Sequence, residues 1–157
     1  RCNGTEICQY TYFQQIGGIE CNPVSVEITY GLERLAMFIQ KTNNVFDIIW
    51  NVNKKEKKTI KYKDIYLESE KQFSKYNFEL ANTEYLFKCF EYVENECKEL
   101  LNNNLPLPAY ENCIKASHYF NILDARGVVG VAQRQSYILK IRSLVKNCCE
   151  IYIKQEL

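Results

Sequence analysis

Histidine is nearly missing from this chain: His118 is the single copy among 157 residues. Chemistry built on an imidazole base has one place to stand, and no Ser-His-Asp pattern surrounds it. Close Cys-x-x-Cys pairs are missing as well. The eight cysteines fall at 2, 8, 21, 89, 97, 113, 148 and 149, and with one histidine they do not make the close spacing of a zinc site. A chain this long and this rich in apolar residues does not need a disulfide framework, so reduced and mostly buried thiols are expected. Cys148 and Cys149 lie in a helical pattern, where neighbours point to different faces. An excess of one charge is absent: 20 basic against 19 acidic residues leave a net +1. That excludes a strong general field for gripping nucleic acid, so any RNA contact is local or shared with another chain. No apolar run approaches the ~18 residues of a membrane span, and no signal peptide is legible. A cytoplasmic protein without membrane contact is expected.

Aromatics and apolar residues are plentiful, with twelve Tyr and eight Phe, enough to bury a real core. Arg1-Cys2-Asn3-Gly4-Thr5 reads as a hairpin turn feeding a strand. The strand spans about 5–16, dense in β-branched and aromatic residues, and stops at Gly17–Gly18. A loop closing with Asn22–Pro23 is expected next. Over 24–30, Val24, Val26, Ile28 and Tyr30 alternate with Ser25, Glu27 and Thr29, which makes a second strand with Glu27 and Thr29 on one face. Tyr10, Tyr12 and Phe13 suit a sheet core better than a base-stacking platform.

After Gly31, Leu32, Leu35, Ala36 and Ile39 fall at helical spacing to about Lys41. Lys54–Lys58 reads as a solvated hairpin tip, and Ile60–Tyr66 fits helix or strand. From Tyr76 a long amphipathic helix is expected to about Leu101, with Asn77 near its cap. A two-proline linker at 102–108, a helix over 109–120, a turn near 121–127 and a third helix over 132–156 complete the pattern. The reading is α+β: sheet strands about 5–16 and 24–30, then a mainly helical C-terminal part, divided as 1–66 and 67–157. Arg134, Lys140, Arg142 and Lys146 line the last helix as a solvated face. His118 reads as structural.

The block that carries chemistry is Glu27-Ile28-Thr29-Tyr30-Gly31-Leu32-Glu33-Arg34. It is a strand, a glycine, and a helix whose first turn holds an arginine. A helix N-terminus attracts anions through its free N–H groups. An arginine there adds a planar fork suited to phosphate oxygens. Glu27 and Thr29, just before it, could hold a small polar ligand beside that phosphate.

Residues 27–40 resemble motif 3 of the class II aminoacyl-tRNA synthetases. With Thr11-Tyr12-Phe13-Gln14-Gln15-Ile16-Gly17-Gly18, Tyr76-Asn77-Phe78-Glu79, Pro106-Leu107-Pro108-Ala109-Tyr110-Glu111, Leu123-Asp124-Ala125-Arg126 and Gln133-Arg134-Gln135-Ser136-Tyr137-Ile138, the chain is similar to the glycyl-tRNA synthetase alpha-subunit family over nearly its whole length. The similarity is weakest across 51–62.

The resemblance implies ATP-dependent ligation of glycine to tRNA(Gly) through a glycyl-adenylate. Arg34 would hold the γ-phosphate and Glu27 the glycine ammonium, as the catalytic pair. Thr29 and Gln9 would complete the glycine pocket. Gly31, Glu6 and Gln14 would lie along ATP, although Gln14 and Gln15 also suit a plain strand end. Mg²⁺ would bridge the phosphates, with Glu6 or Glu20 as candidate ligands. The first step asks for positioning and charge neutralisation, not a protein nucleophile. The resemblance further implies a beta subunit partner, an alpha homodimer within an alpha2beta2 tetramer, and motifs 1 and 2 upstream of Arg1, so that residues 1–157 alone would be inactive. Where the related alanine enzymes carry glycine, Thr29 would fill the space of an alanine methyl. The alternatives are a non-catalytic synthetase-like binding or assembly module, and an alanine-type class II synthetase.

Overall fold

The computed structural model describes residues 1–53, 55 and 58–156. Asn3 and Gly4 take positive φ and close a tight turn, across which Cys2 and Thr5 exchange backbone hydrogen bonds of 2.8 and 2.9 Å. Strand β1 (Cys8–Ile16) then pairs with β2 (Ile19–Tyr30) in a two-stranded sheet. The expected loop before Pro23 does not exist, because β2 begins directly after the Gly17–Gly18 turn. Pro23 is tolerated inside it because each strand of a two-stranded sheet is an edge, with one side of the backbone free of ladder bonds.

Helix α1 (Leu32–Gln40) ends on Lys41 in the left-handed conformation, whose N–H caps the carbonyls of Met37 and Phe38. A single 3-10 turn over Val45–Asp47 leads into β3 (Ile49–Asn53), which pairs antiparallel with β4 (Lys58–Lys61). Lys54, Glu56 and Lys57, most of the expected hairpin tip, lie outside the described residues. The ambiguous stretch 60–66 is both things in turn, the end of β4 and the start of α2 (Tyr62–Lys75). Gln40 bolts α1 to β3 with both ends of its amide, accepting from the Ile49 N–H at 2.7 Å and donating to the Ile49 carbonyl at 3.0 Å. Phe46, Trp50, Tyr62 and Tyr66 form a tilted and edge-on aromatic group beside it.

A π-helical turn over Tyr76–Leu80 precedes α3 (Thr83–Asn102). The cap of α3 is Asn82, which accepts from the Tyr85 N–H at 3.0 Å; Asn77 lies inside the π turn and is not the cap. Helix α4 (Pro106–Ala125) starts earlier and ends later than the two prolines suggest. In a first turn the missing proline N–H has no intrahelical partner to lose, so Pro106 opens the helix rather than delaying it. Helix α5 (Val131–Glu156) closes the chain.

Buried positions 106, 109, 113, 116, 120 and 123 of α4 alternate steps of three and four. That spacing keeps one stripe facing its neighbours along the whole helix. Residues 86, 90, 94, 97 and 101 of α3, spaced three or four apart, likewise keep to one stripe. Phe90, Ala116 and Phe120 pack with Tyr137, Ile138 and Ile141 of α5, and Leu86, Ile122 and Leu123 form the adjoining layer.

The chain divides into two compact units, one of 1–13 with 23–74 and one of 14–22 with 75–157. Position 66/67 falls inside α2. The hairpin tip thus groups with the helices, and Gly17 shows how. Its φ is +61°, and a Cβ there would lie 2.9 Å from the Cys149 sulfur on α5. Any other L residue is both strained and crowded at that turn.

Candidate functional site

Glu27 and Thr29 stand two residues apart on β2, so the pleat sends both side chains to the same face. The Thr29 hydroxyl donates to Glu27 Oε1. This bond fixes one carboxylate oxygen and leaves the other to a ligand. At the end of β2 the Gly31 N–H donates to the Ile7 carbonyl at 2.9 Å, and its own carbonyl accepts the first helical bond from Leu35 at 2.9 Å. Gly31 has an ordinary φ of −78° and no side chain to cap α1, so the first-turn N–H groups stay open.

Gly31 gives the Arg34 stem room. A Cβ there would lie 3.3 Å from Arg34 Cδ, because the arginine stem folds back toward the strand. Helical side chains lean toward their own N-terminus, and glycine leaves room for this one to do so. Arg34 Nη1 donates to the Glu6 carbonyl at 2.6 Å and lies 3.9 Å from Glu6 Oε1. Both side chains are about half exposed, 54% and 50%, so the guanidinium is anchored at one nitrogen and open elsewhere.

Arg34 lines a cleft of about 380 Å³ together with Thr5, Met37, Phe38, Lys41, Thr42 and Asn43. Two cations, Arg34 and Lys41, border it, a lining that suits an anion. Lys41 was not singled out by sequence reasoning. It lies just past α1, where its left-handed backbone caps the helix end.

Arg34 is therefore brought to Glu6, and Glu27 to Thr29, while no ion pair joins Glu27 to Arg34 among the described residues. Gln9 lies exposed on β1, and Gln14 and Glu20 lie exposed near the hairpin tip. Tyr10 and Tyr12 are not core: they stand 54% and 60% exposed, edge to face at 5.0 Å. A two-stranded ribbon has no second layer to cover them.

In the helical unit, two distant matched segments meet. Arg126 Nη1 donates to the Phe78 carbonyl at 2.9 Å, clamping the π turn to the end of α4. The basic row of α5 is largely spoken for: Arg134 pairs with Asp124 at 3.1 Å, Lys140 with Glu94 at 3.0 Å and Lys146 with Glu150 at 3.6 Å. Arg142 has no ion-pair partner among the described residues. Burial pushes the Glu94 carboxyl up, but hydrogen bonds from Lys98 and Lys140 outweigh it and hold the group below its ordinary range. His118 is exposed on α4 beside the Tyr119 ring.

The family model described as glycyl-tRNA synthetase alpha subunit matches residues 1–157. The chain belongs to that family. Membership makes it a subunit of an aminoacyl-tRNA ligase acting with glycine, and it implies tRNA and a beta subunit as partners. The α+β architecture read from the sequence is the one observed, two small antiparallel sheets and five α-helices among the described residues. Among those residues no helix is long and apolar enough to cross a membrane.

Proposed function

We propose that the hairpin unit carries the motif 3 part of a class II catalytic site, which joins glycine to ATP as glycyl-adenylate before transfer to tRNA(Gly). The observation that carries this reading is Arg34. It is held at the start of α1 by the Glu6 backbone, given room by Gly31, and borders a cleft shared with Lys41. A triphosphate in that cleft meets one bidentate fork and one ammonium. Arg34 grips the γ-phosphate, and Lys41 adds a second cation to the same chain of phosphates. The open N–H groups of α1 favour negative charge at the junction.

Glu27 takes the glycine ammonium with the carboxylate oxygen that Thr29 leaves free. Thr29 also fills space next to the amino acid, so a substrate with a methyl is crowded while glycine is not. Gln9 borders the amino acid, and Gly31 borders the nucleotide. The glycine carboxylate is itself the nucleophile toward the α-phosphate, so these side chains orient and neutralise rather than bond covalently.

Magnesium fits this donor set in a limited way. Glu6 keeps carboxylate oxygens beyond its 3.9 Å approach to Arg34, and Glu20 is exposed. Among the described residues no three carboxylates or histidines converge into a cage. One carboxylate with phosphate and water oxygens is the usual way Mg²⁺ is held at a triphosphate, where it offsets charge on the phosphates. The exposed apolar side chains of β2, Val24, Val26, Ile28 and Tyr30, suit a ribbon belonging to a wider class II sheet.

The test is ATP–pyrophosphate exchange by the full-length alpha subunit. Exchange that depends on glycine and not alanine supports the reading. Exchange driven by alanine supports an alanine-type enzyme, and none with any amino acid supports a binding or assembly module.

A further inference from the structure

Three thiols meet inside the helical unit. Cys97 comes from α3, Cys113 from α4 and Cys148 from α5. The Cys113 sulfur lies 3.5 Å from that of Cys97 and 3.7 Å from that of Cys148, and all three lie within 4.8 Å of one another. The residues are 0%, 1% and 3% exposed in chain order. Leu101, Ala109 and Leu144 surround them, with Leu100, Val145 and Ile151 behind. A buried cysteine usually serves as a small apolar filler. Filling needs no convergence of sulfurs from three helices, whereas a three-coordinate thiophilic centre does.

We infer that Cys97, Cys113 and Cys148 form a binding site for a trivalent thiophilic metalloid, with arsenite, As(OH)₃, as its simplest ligand. Charge selects the class. Three thiolates around a monovalent or divalent ion carry net negative charge into an apolar core, which is costly. Around a trivalent centre the product is neutral. Burial, then the neighbouring Cys97, pushes the Cys113 thiol well above its ordinary range, and burial also raises Cys148. The reaction suits neutral partners: As(OH)₃ and three thiols give As(S–Cys)₃ and three waters. Three As–O bonds break and three As–S bonds form, each thiol proton leaves with a hydroxide, and nothing is oxidised or reduced.

Geometry agrees. With bonds of roughly 2.3 Å, as in zinc thiolates, a planar three-sulfur centre sets its sulfurs about 4.0 Å apart and a right-angled pyramid about 3.3 Å. The two measured edges fall between these limits, and the third, between Cys97 and Cys148, is at most 4.8 Å, so closure draws these two sulfurs together. Tetrahedral zinc wants a fourth ligand, and the apolar shell provides none among the described residues. The site owes nothing to the ligase chemistry. Its occupation ties α3, α4 and α5 together, and entry requires a local opening of the helices.

The reduced subunit is incubated with arsenite, desalted, and read by native mass, by thiol titration after denaturation, and by thermal melting. The expected result is one arsenic per chain, three fewer free thiols and a higher Tm. Cys149→Ala keeps that stoichiometry, and Cys113→Ala lowers retention at least tenfold. If Cys113→Ala does not fold, Cys148→Ala gives the same reading. No retained arsenic, retention unchanged in the cluster variants, or retention of zinc or copper(I) in place of arsenite each overturns the assignment.

Discussion

The two units of this chain bury their apolar residues very differently. Among the described residues, Ile48 is the one fully buried apolar side chain of the hairpin unit, while the others, from Ala81 to Cys148, belong to the helical unit. The hairpin unit exposes Tyr10, Tyr12, Val26, Ile28, Tyr30 and Leu32 instead. The helical unit draws its stability from its own layers. The hairpin unit holds Glu27, Thr29 and Arg34 in place through local devices: a hydroxyl on a carboxylate, a glycine that makes room, and backbone bonds at a strand–helix junction. Stability and chemistry are therefore separable by mutation.

The largest effect is expected in the helical core. Phe90→Ala empties a site 2% exposed at the centre of three helices and should cost about 3–5 kcal/mol in denaturant unfolding. Ile28→Ser on the hairpin should stay within about 0.5 kcal/mol. Equal losses in the two variants would erase the contrast.

Arg34→Ala is the converse experiment. Removing a charge-assisted contact worth roughly 1.5–3 kcal/mol should lower glycine-dependent exchange on the order of tenfold to a hundredfold or more, with the unfolding midpoint unmoved. Unchanged exchange would remove Arg34 from the site. Glu94→Gln should cost about 1–3 kcal/mol at neutral pH, since two lysines lose their shared carboxylate. The folded-state pKa of Glu94 is depressed. Its contribution is therefore present above the unfolded value near 4.3 and lost as pH falls through the folded one. Unfolding curves measured across that window should be flatter in the variant; an identical acid slope would show that the lysines hold Glu94 no better folded than unfolded.

The smaller effects lie at the cleft. Lys41→Ala should raise the KM for ATP several-fold and leave that for glycine alone, since a single exposed cation is worth about 1 kcal/mol or less. Thr29→Gly should raise activity with alanine relative to glycine by a factor of roughly ten, the worth of about one methyl group. An unaltered ratio removes Thr29 from specificity.

Much of this was legible in the sequence. Alternation over 24–30 and helical spacing over 32–41 set out the strand–glycine–helix junction, and the amphipathic pattern up to about Leu101 marked the buried face of α3. The misplacements share a cause. Pro23, Pro106 and Pro108 read as breaks, yet an edge strand and a first helical turn both tolerate a missing N–H. Tyr10 and Tyr12 read as core because composition reports only that a face is apolar, not whether a second layer covers it. The thiol cluster was invisible to spacing rules, since its three ligands come from three helices and converge only through packing.

The most direct test of the central claim is a crystal structure of the subunit with glycine and a non-hydrolysable ATP analogue. The account predicts the Glu27 carboxylate within hydrogen-bond distance of the glycine ammonium and the Arg34 guanidinium on the γ-phosphate of the same bound pair. Ligands seated elsewhere, or touching one of these residues while the other faces away, would contradict it.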